Sequence, residues 1–431
     1  MQTKHMALIA IVVVICVAGV AYFALSGDDG GDEYVSDNTE GRLTVFGNAN
    51  NDDYINEKDV QAIRDMIAGK IDKTNYADAN RDGKVDEDDV KFVQDIIKKK
   101  ADHVYVEQYY NKQVEVKECP YPLTKVCVVG YETMTVMKSI GAVDKIVCIS
   151  GAKNESFDPI FYSDIYDLPR IGPDVWNVSI EQLPNYDIDA ILAMDGKSYI
   201  PNWEQIEKSG KQVIRIQAAN GLSSLNGIVT LGFLCDCVDR ANKEMEFFDG
   251  ILDHIEETVG GIKDSDRKTA LFVTMSNYVE GPVEASEYSG TLEIAGAKCL
   301  ADKDTWGEKA RKQFFIGDEW LLKEKYQADF IVHSRGLGLG EVNLQENWDK
   351  YSKYFTEMDA YKEGNYFILN STLTPVLRIA FMATQFYPDL FGEDYAVKQV
   401  QKYYDDFITN VEDFDAKTGA TWIVTSDMVK A

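Results

Sequence analysis

Two twelve-residue stretches carry oxygen-bearing side chains on alternate positions. In the first, Asn48, Asn50, Asp52, Tyr54, Asn56 and Asp59 occupy positions 1, 3, 5, 7, 9 and 12; in the second, Asp78, Asn80, Asp82, Lys84, Asp86 and Asp89 occupy the same places. Calcium takes six to eight oxygens at about 2.4 Å, and a tight loop offers them through alternate side chains plus the backbone carbonyl of position 7, here Tyr54 or Lys84. The spacing therefore predicts two calcium loops. Gly83 at position 6 permits the sharp turn of the second. The first has Asp53 there and Asn48 where aspartate is usual at position 1, which predicts weaker binding. Each loop runs into a helix with an apolar face: Val60, Ile63 and Ile67 after the first, Val90, Val93 and Ile97 after the second.

The elements around these loops fall into an order. Residues 7–25 form an unbroken apolar run with Lys4 before it and acidic, glycine-rich sequence after it. Such a run can cross a hydrocarbon core, with the cation on the inner side and the remainder outside; a cleaved signal segment with Gly19 and Ala21 at the cut is the rival reading. Residues 1–26 are thus an anchor or signal, and 27–40, rich in Asp, Gly, Ser and Asn, a solvated tether. The calcium module spans 41–100.

From His103 onward, short β-branched runs alternate with helical stretches, the pattern of a parallel sheet covered by helices. The strands expected are Lys125 to Val129, Ile146 to Ile149, Ile188 to Ala193 and Gln212 to Ile216, then Thr269 to Val273, Phe330 to His333 and Tyr366 to Leu369. Between the two sets Ala241, Met245, Phe248, Leu252, Ile255 and Val259 mark one face of a helix that Gly260 and Gly261 end. That helix, residues 239–262, is expected as a strut between two lobes, 101–238 and 263–431. The lobes share a pattern in which a short helix enters a strand through Asp189 or Asp329. The fold class expected is α/β, two Rossmann-like lobes with parallel sheets joined by one long helix, plus a small all-α calcium-binding module and an N-terminal transmembrane helix.

A net charge of −28 on 431 residues disfavours nucleic acid and anionic membrane surfaces as partners. Seven scattered cysteines make neither a disulfide framework nor zinc knuckles. The histidines, His5, His103, His254 and His333, are too dispersed for an imidazole metal cage. Sequons at Asn154, Asn177 and Asn370 permit glycosylation.

Residues 41–99, with their paired loops and no entering helix, resemble the dockerin module, which plugs into a cohesin on another protein. The resemblance implies a cohesin-bearing partner and places recognition at positions 10 and 11, Glu57 and Lys58 in one repeat, Glu87 and Asp88 in the other. Asp rather than Glu closes each loop.

The remainder resembles the solute-binding proteins of ABC importers that serve iron-siderophore, haem and cobalamin uptake. The residues that carry this are the hairpin and first strand of 103–130, Ser139-Ile-Gly-Ala-Val-Asp-Lys-Ile146, Leu168-Pro-Arg-Ile-Gly172, the Glu181 and Glu319 segments, Ala360 to Tyr366 and Tyr387-Pro-Asp-Leu-Phe391. The resemblance implies that Glu181 and Glu319 dock against permease arginines; alternatively each is an ordinary acid at a helix start. It also implies a ligand in an interlobe cleft beyond the carboxyl ends of the strands. Tyr131, Lys153, Trp176, Lys197 and Tyr199 follow strands of the first lobe, and Tyr278, Tyr288, Trp306 and Arg335 those of the second. Flat aromatic faces and cations suit an anionic metal chelate. Arg335, amid Gly336, Gly338 and Gly340, is expected in an exposed loop and is the first choice.

The function implied is capture of a metal chelate (ferric siderophore, haem or cobalamin) for an ABC permease, at the extracellular face of a membrane anchored by residues 7–25, or secreted if that segment is cut. A non-transport adhesion or scaffold protein on a degenerate binding-protein fold is the alternative. An enzyme on the same scaffold is disfavoured because no Ser-His-Asp, Cys-His or Glu/His metal constellation stands at a strand end.

Overall fold

In a computed structural model of the chain, the residues described are 41–110, 113–151, 158–196, 199–216, 222, 224–274, 278–279, 288–300, 314–315, 327–340 and 342–430. The apolar run 7–25 and the tether 27–40 lie outside them. Among the described residues no helix is long and apolar enough to cross a membrane.

The two loops each lead into an eleven-residue helix, Glu57–Ile67 and Glu87–Ile97. Asn56 and Asp86 cap them, and the residues three positions on, Asp59 and Asp89, bond back to the cap backbone. A capping box of this kind satisfies N–H groups that a helix start otherwise leaves open. Val60, Ile63 and Met66 pack with Val90 and Val93 in one core, each contributing on the order of 1.5–3 kcal/mol by leaving water. Ile67, expected on the buried face, is 39% exposed, and Met66 takes its place.

The chain forms two compact units. As far as its residues are described, one comprises the chain up to 154, 164–219 and 223–246; the other comprises 155–163, 220–222 and everything from 247 on. In the first, β1 (His103–Tyr110) and β2 (Gln113–Pro120) make the expected antiparallel hairpin. β3 (Val126–Val128), β4 (Ile146–Ile149), β5 (Ala190–Met194) and β6 (Gln212–Ile216) form a parallel sheet in the order β4-β3-β5-β6. The loop–helix repeats are built into this unit. Val45 bridges Val106 of β1, with Phe46 N–H donating to the Tyr105 carbonyl at 2.8 Å and Glu107 N–H to that of Thr44 at 2.9 Å.

In the second unit, β7 (Thr269–Val273), β8 (Tyr278–Val279), β9 (Lys298–Cys299), β10 (Phe314–Phe315), β11 (Phe330–Arg335), β12 (Tyr366–Asn370) and β13 (Ile423–Thr425) share one sheet. Its parallel strands run β9-β7-β11-β12; β13 adds to β12 and β8 to β7 in antiparallel sense. The order second, first, third, fourth is that of the first unit. The aspartates that suggested a repeat have one job in both. Asp189 accepts hydrogen bonds from Thr124 N, Thr124 Oγ1 and Lys125 N at 2.7–2.9 Å, and Asp329 accepts Thr269 N and Oγ1 at 2.7 and 3.0 Å. Each ties the entry of the third strand to that of the first. The turns into the second strands match too, with Gly141 and Gly296 at positive φ and the next alanine N–H closing back on Met137 or Leu292.

The long helix runs Val238–Val259, stopping three residues before its expected end at Ile262, with Gly260 N–H still donating to the Glu256 carbonyl in the last turn. It lies in neither sheet, and the boundary between the units falls within it, after Glu246. Ala241, Met245, Phe248, Ile255 and Val259 are buried as their spacing predicts; Leu252 is half-buried and Ile251 takes the buried place. The helix Ser224–Leu234, buried on nearly every side, has no amphipathic pattern and was not foreseen.

Candidate binding sites

In the first unit the carboxyl ends of β3, β4 and β5 gather three of the expected aromatics. Gly130, directly after β3, has φ +93°, and a Cβ there would lie 2.7 Å from Tyr199 Cε1. Only glycine lets the Tyr199 ring lie against the strand end. Tyr199 donates to Glu132 Oε2 at 3.3 Å, and Trp176 meets its ring edge-on at 4.8 Å. Tyr199 is 6% exposed and so acts as a support; Trp176, 43% exposed, is the face open to a ligand. Asp174 fixes the Trp176 turn by accepting its N–H at 2.9 Å, and Ser150 holds the same loop by donating to the Val175 carbonyl at 2.8 Å. Tyr131 is half-buried beside Arg170, and burial raises its phenol above the usual range. Lys153 and Lys197 lie outside the described residues.

Two further arginines stand here that were not among the expected ligand residues, although Arg170 belongs to the Leu168 to Gly172 motif. Arg170 forms the parallel bridge that continues the sheet beside Ile149, and its guanidinium donates to the Tyr166 carbonyl at 3.0 Å. Arg215 in β6 is buried. Its guanidinium donates to the carbonyls of Met194, Tyr199 and Ile200 at 3.0–3.3 Å and lies 4.2 Å above the Tyr110 ring. It fixes the loop after β5 on which Tyr199 sits.

In the second unit the expectation for Arg335 needs correction. It is the last residue of β11, 6% exposed, with its guanidinium 4.2 Å over the Tyr351 ring. Alternation along the strand turns Ile331, His333 and Arg335 to one face, so the arginine is drawn under the helix Leu344–Ser352 that carries Tyr351. The glycines after it are pinned rather than free. Asn370 accepts Leu337 N–H and donates to the Gly338 carbonyl, each at 3.1 Å, and Asp158 accepts Leu339 N–H at 2.7 Å. Asn370 is fully buried with its amide nitrogen engaged, so that sequon is closed to glycosylation. His333 is buried, with Nδ1 2.7 Å from the Tyr366 hydroxyl, and desolvation followed by the Arg335 charge holds its pKa well below normal. The side chains of Tyr278 and Tyr288, and all of Trp306 and Glu319, lie outside the described residues. Glu181 is exposed just before the short helix Leu183–Asn185, with Ser179 Oγ donating to it at 3.4 Å.

The two loops share one geometry. Asp59 and Asp89 at position 12 are fully buried; each accepts the N–H of position 3 at 3.2 Å and of position 9 at 2.8 Å. At position 5, Asp52 and Asp82 accept the N–H of Tyr54 and Lys84. Burial, above all, pushes Asp59 up to about 6 and raises Asp89, with Asp52 and Asp78 adding like charge. Buried carboxylates crowded by others are a setting that a hard cation relieves, so the residues fit calcium. Among the described residues no group of three or more His, Cys, Asp or Glu side chains is gathered for a metal. A calcium ion held here would need amide and carbonyl oxygens as well as carboxylates.

No family model and no curated protein matches the chain. Solved structures do. CeuE of Helicobacter pylori, described in complex with Ni-His, is similar over 73% of this chain and 98% of its own, at 17% identity and a TM-score of 0.53. FepB of Veillonella parvula, described as a TroA-like periplasmic binding protein, is similar over 74% and 99%, at 15% and 0.54. MolA of Haemophilus influenzae, a molybdate periplasmic binding protein, is similar over 71% and 97%, at 15% and 0.52. The α/β part of the chain has the fold of TroA-like periplasmic solute-binding proteins.

Proposed function

We propose that the chain is the extracellular substrate-binding component of an ABC importer and captures a metal chelate: a ferric siderophore, haem or cobalamin. The observation that carries this is the placing of Trp176, Tyr131 and Arg170 together where parallel strands end, the position at which α/β folds bind small molecules. An open aromatic face and a cation at the ends of one sheet suit a bulky anionic chelate. Glu181 and Glu319 dock the permease in this proposal, as two separated rim charges that orient without tight binding. The paired loops bind calcium, the second more tightly, and the module joins the chain to a cohesin-bearing partner. Residues 7–25 anchor it to the outer face of the membrane.

Calorimetry of the exported chain against haem, cobalamin and ferric siderophores tests the proposal. One of them should bind with 1:1 stoichiometry and lose at least tenfold in affinity in Trp176→Ala, the loss expected for about 1.4 kcal/mol of stacking. Flat traces with all of them would favour the adhesion or scaffold reading.

A further inference from the structure

The first loop departs from the calcium pattern at Asn48 and Asp53, and both residues make contacts that, among the described residues, have no counterpart in the second loop. Asn48 is fully buried, and its amide nitrogen donates to the carbonyls of Leu43 at 2.9 Å and Asp52 at 2.6 Å. An aspartate there would set a carboxylate oxygen against two carbonyl oxygens, so the usual residue is disfavoured by this packing. Asn48 Oδ1 accepts Asp52 N–H at 3.2 Å, and the Asn50 amide nitrogen donates to Asp52 Oδ2 at 2.9 Å. Asparagine donors thus do within the first loop part of what a cation does for carboxylates. In the second loop position 1 is Asp78, which accepts the backbone N–H groups of Asp82 and Gly83 in its own turn, with the Arg81 guanidinium 3.9 Å away.

Asp53 points the same way. Its carboxylate accepts Arg42 N–H, and its carbonyl accepts a 3.4 Å hydrogen bond from Asn242 on the long helix. The strand that feeds the loop is joined to β1 through Val45, and Thr44 Oγ1 meets Thr230 Oγ1 at 3.1 Å. Tyr76, between the loops, donates to Glu107 of β1 at 2.8 Å.

We infer that the first loop is a calcium-independent pin that locks the loop–helix repeats onto the α/β body of the first unit, while calcium is needed to order the second loop alone. This rests on the calcium reading proposed above. Asn48 and Asp53, which look like decay of a metal site, are the residues that make the pin.

Hydrogen exchange by mass spectrometry on the exported chain, in excess calcium and in excess EGTA, tests it. Removing calcium should speed exchange at Asp82 and Lys84 at least about tenfold and leave Asp52, Tyr54 and Glu107 within about twofold. Asp53→Ala should speed exchange at Asp52 and Glu107 in both buffers. Both loops loosening in EGTA would overturn the inference and leave the calcium reading standing. No heat on calcium titration, together with no change at Asp82, would overturn both.

Discussion

Replacing Arg215 by methionine is the sharpest single perturbation of the proposed ligand site, since it touches no ligand. The change removes three hydrogen bonds to the carbonyls of Met194, Tyr199 and Ile200 and the stacking on Tyr110. A hydrogen bond from a charged donor is worth roughly 1.5–3 kcal/mol net, and a desolvated cation–aromatic contact about 2. Methionine recovers part of the burial cost of a guanidinium, leaving a local loss of about 3–4 kcal/mol. The chain has two units, so a global unfolding free energy is the wrong readout. Exchange at amides of 194–200, measured under native conditions, should quicken on the order of a hundred- to a thousandfold. The near-ultraviolet signal of Trp176 should change as Tyr199 shifts. An acceleration below about fivefold, roughly 1 kcal/mol, would show that the loop does not depend on Arg215 and refute the reasoning.

Three other predictions follow from the same geometry. Gly130→Ala puts a methyl 2.7 Å from the Tyr199 ring at φ +93° and should cost about 2–4 kcal/mol in the first unit, read by urea titration. Asp189→Ala and Asp329→Ala should each cost about 1–2 kcal/mol, each read by hydrogen exchange in its own unit, and the double variant should show both losses unchanged within about 0.5 kcal/mol. His333 stays neutral in the folded chain, facing Arg335 of its own strand, the Tyr366 hydroxyl, and the Tyr351 and Phe355 rings. Its folded pKa is depressed, so below about 6.5 the unfolded chain takes up a proton that the folded one refuses. Stability is then full above that pH and falls as pH drops through it; thermal unfolding from pH 7.5 to 5 should show this slope, and His333→Gln should flatten it.

What the sequence disclosed and what it hid divide by distance along the chain. The paired loop–helix repeats were legible because each loop and its capping residues fall within twelve consecutive residues. The long helix was legible through its period, and the Asp189 and Asp329 match through local pattern. Hidden were features made by distant partners: the pairing of Val45 with Val106, the contact of Thr44 with Thr230, and the carbonyls that Arg215 collects. Glycines around Arg335 suggested exposure, whereas Asn370 and Asp158, far off in sequence, pin that loop and the strand buries the arginine. Ser224–Leu234 is buried nearly all round, so hydrophobic periodicity, which needs a wet face, had nothing to report.

Native mass spectrometry of the chain purified from its own source tests the central claim most directly. The account predicts one metal chelate per chain, released as a single intact species when the chain is denatured, with calcium retained separately and lost to EGTA. A bare chain that also takes up no haem, cobalamin or ferric siderophore when these are added would contradict it.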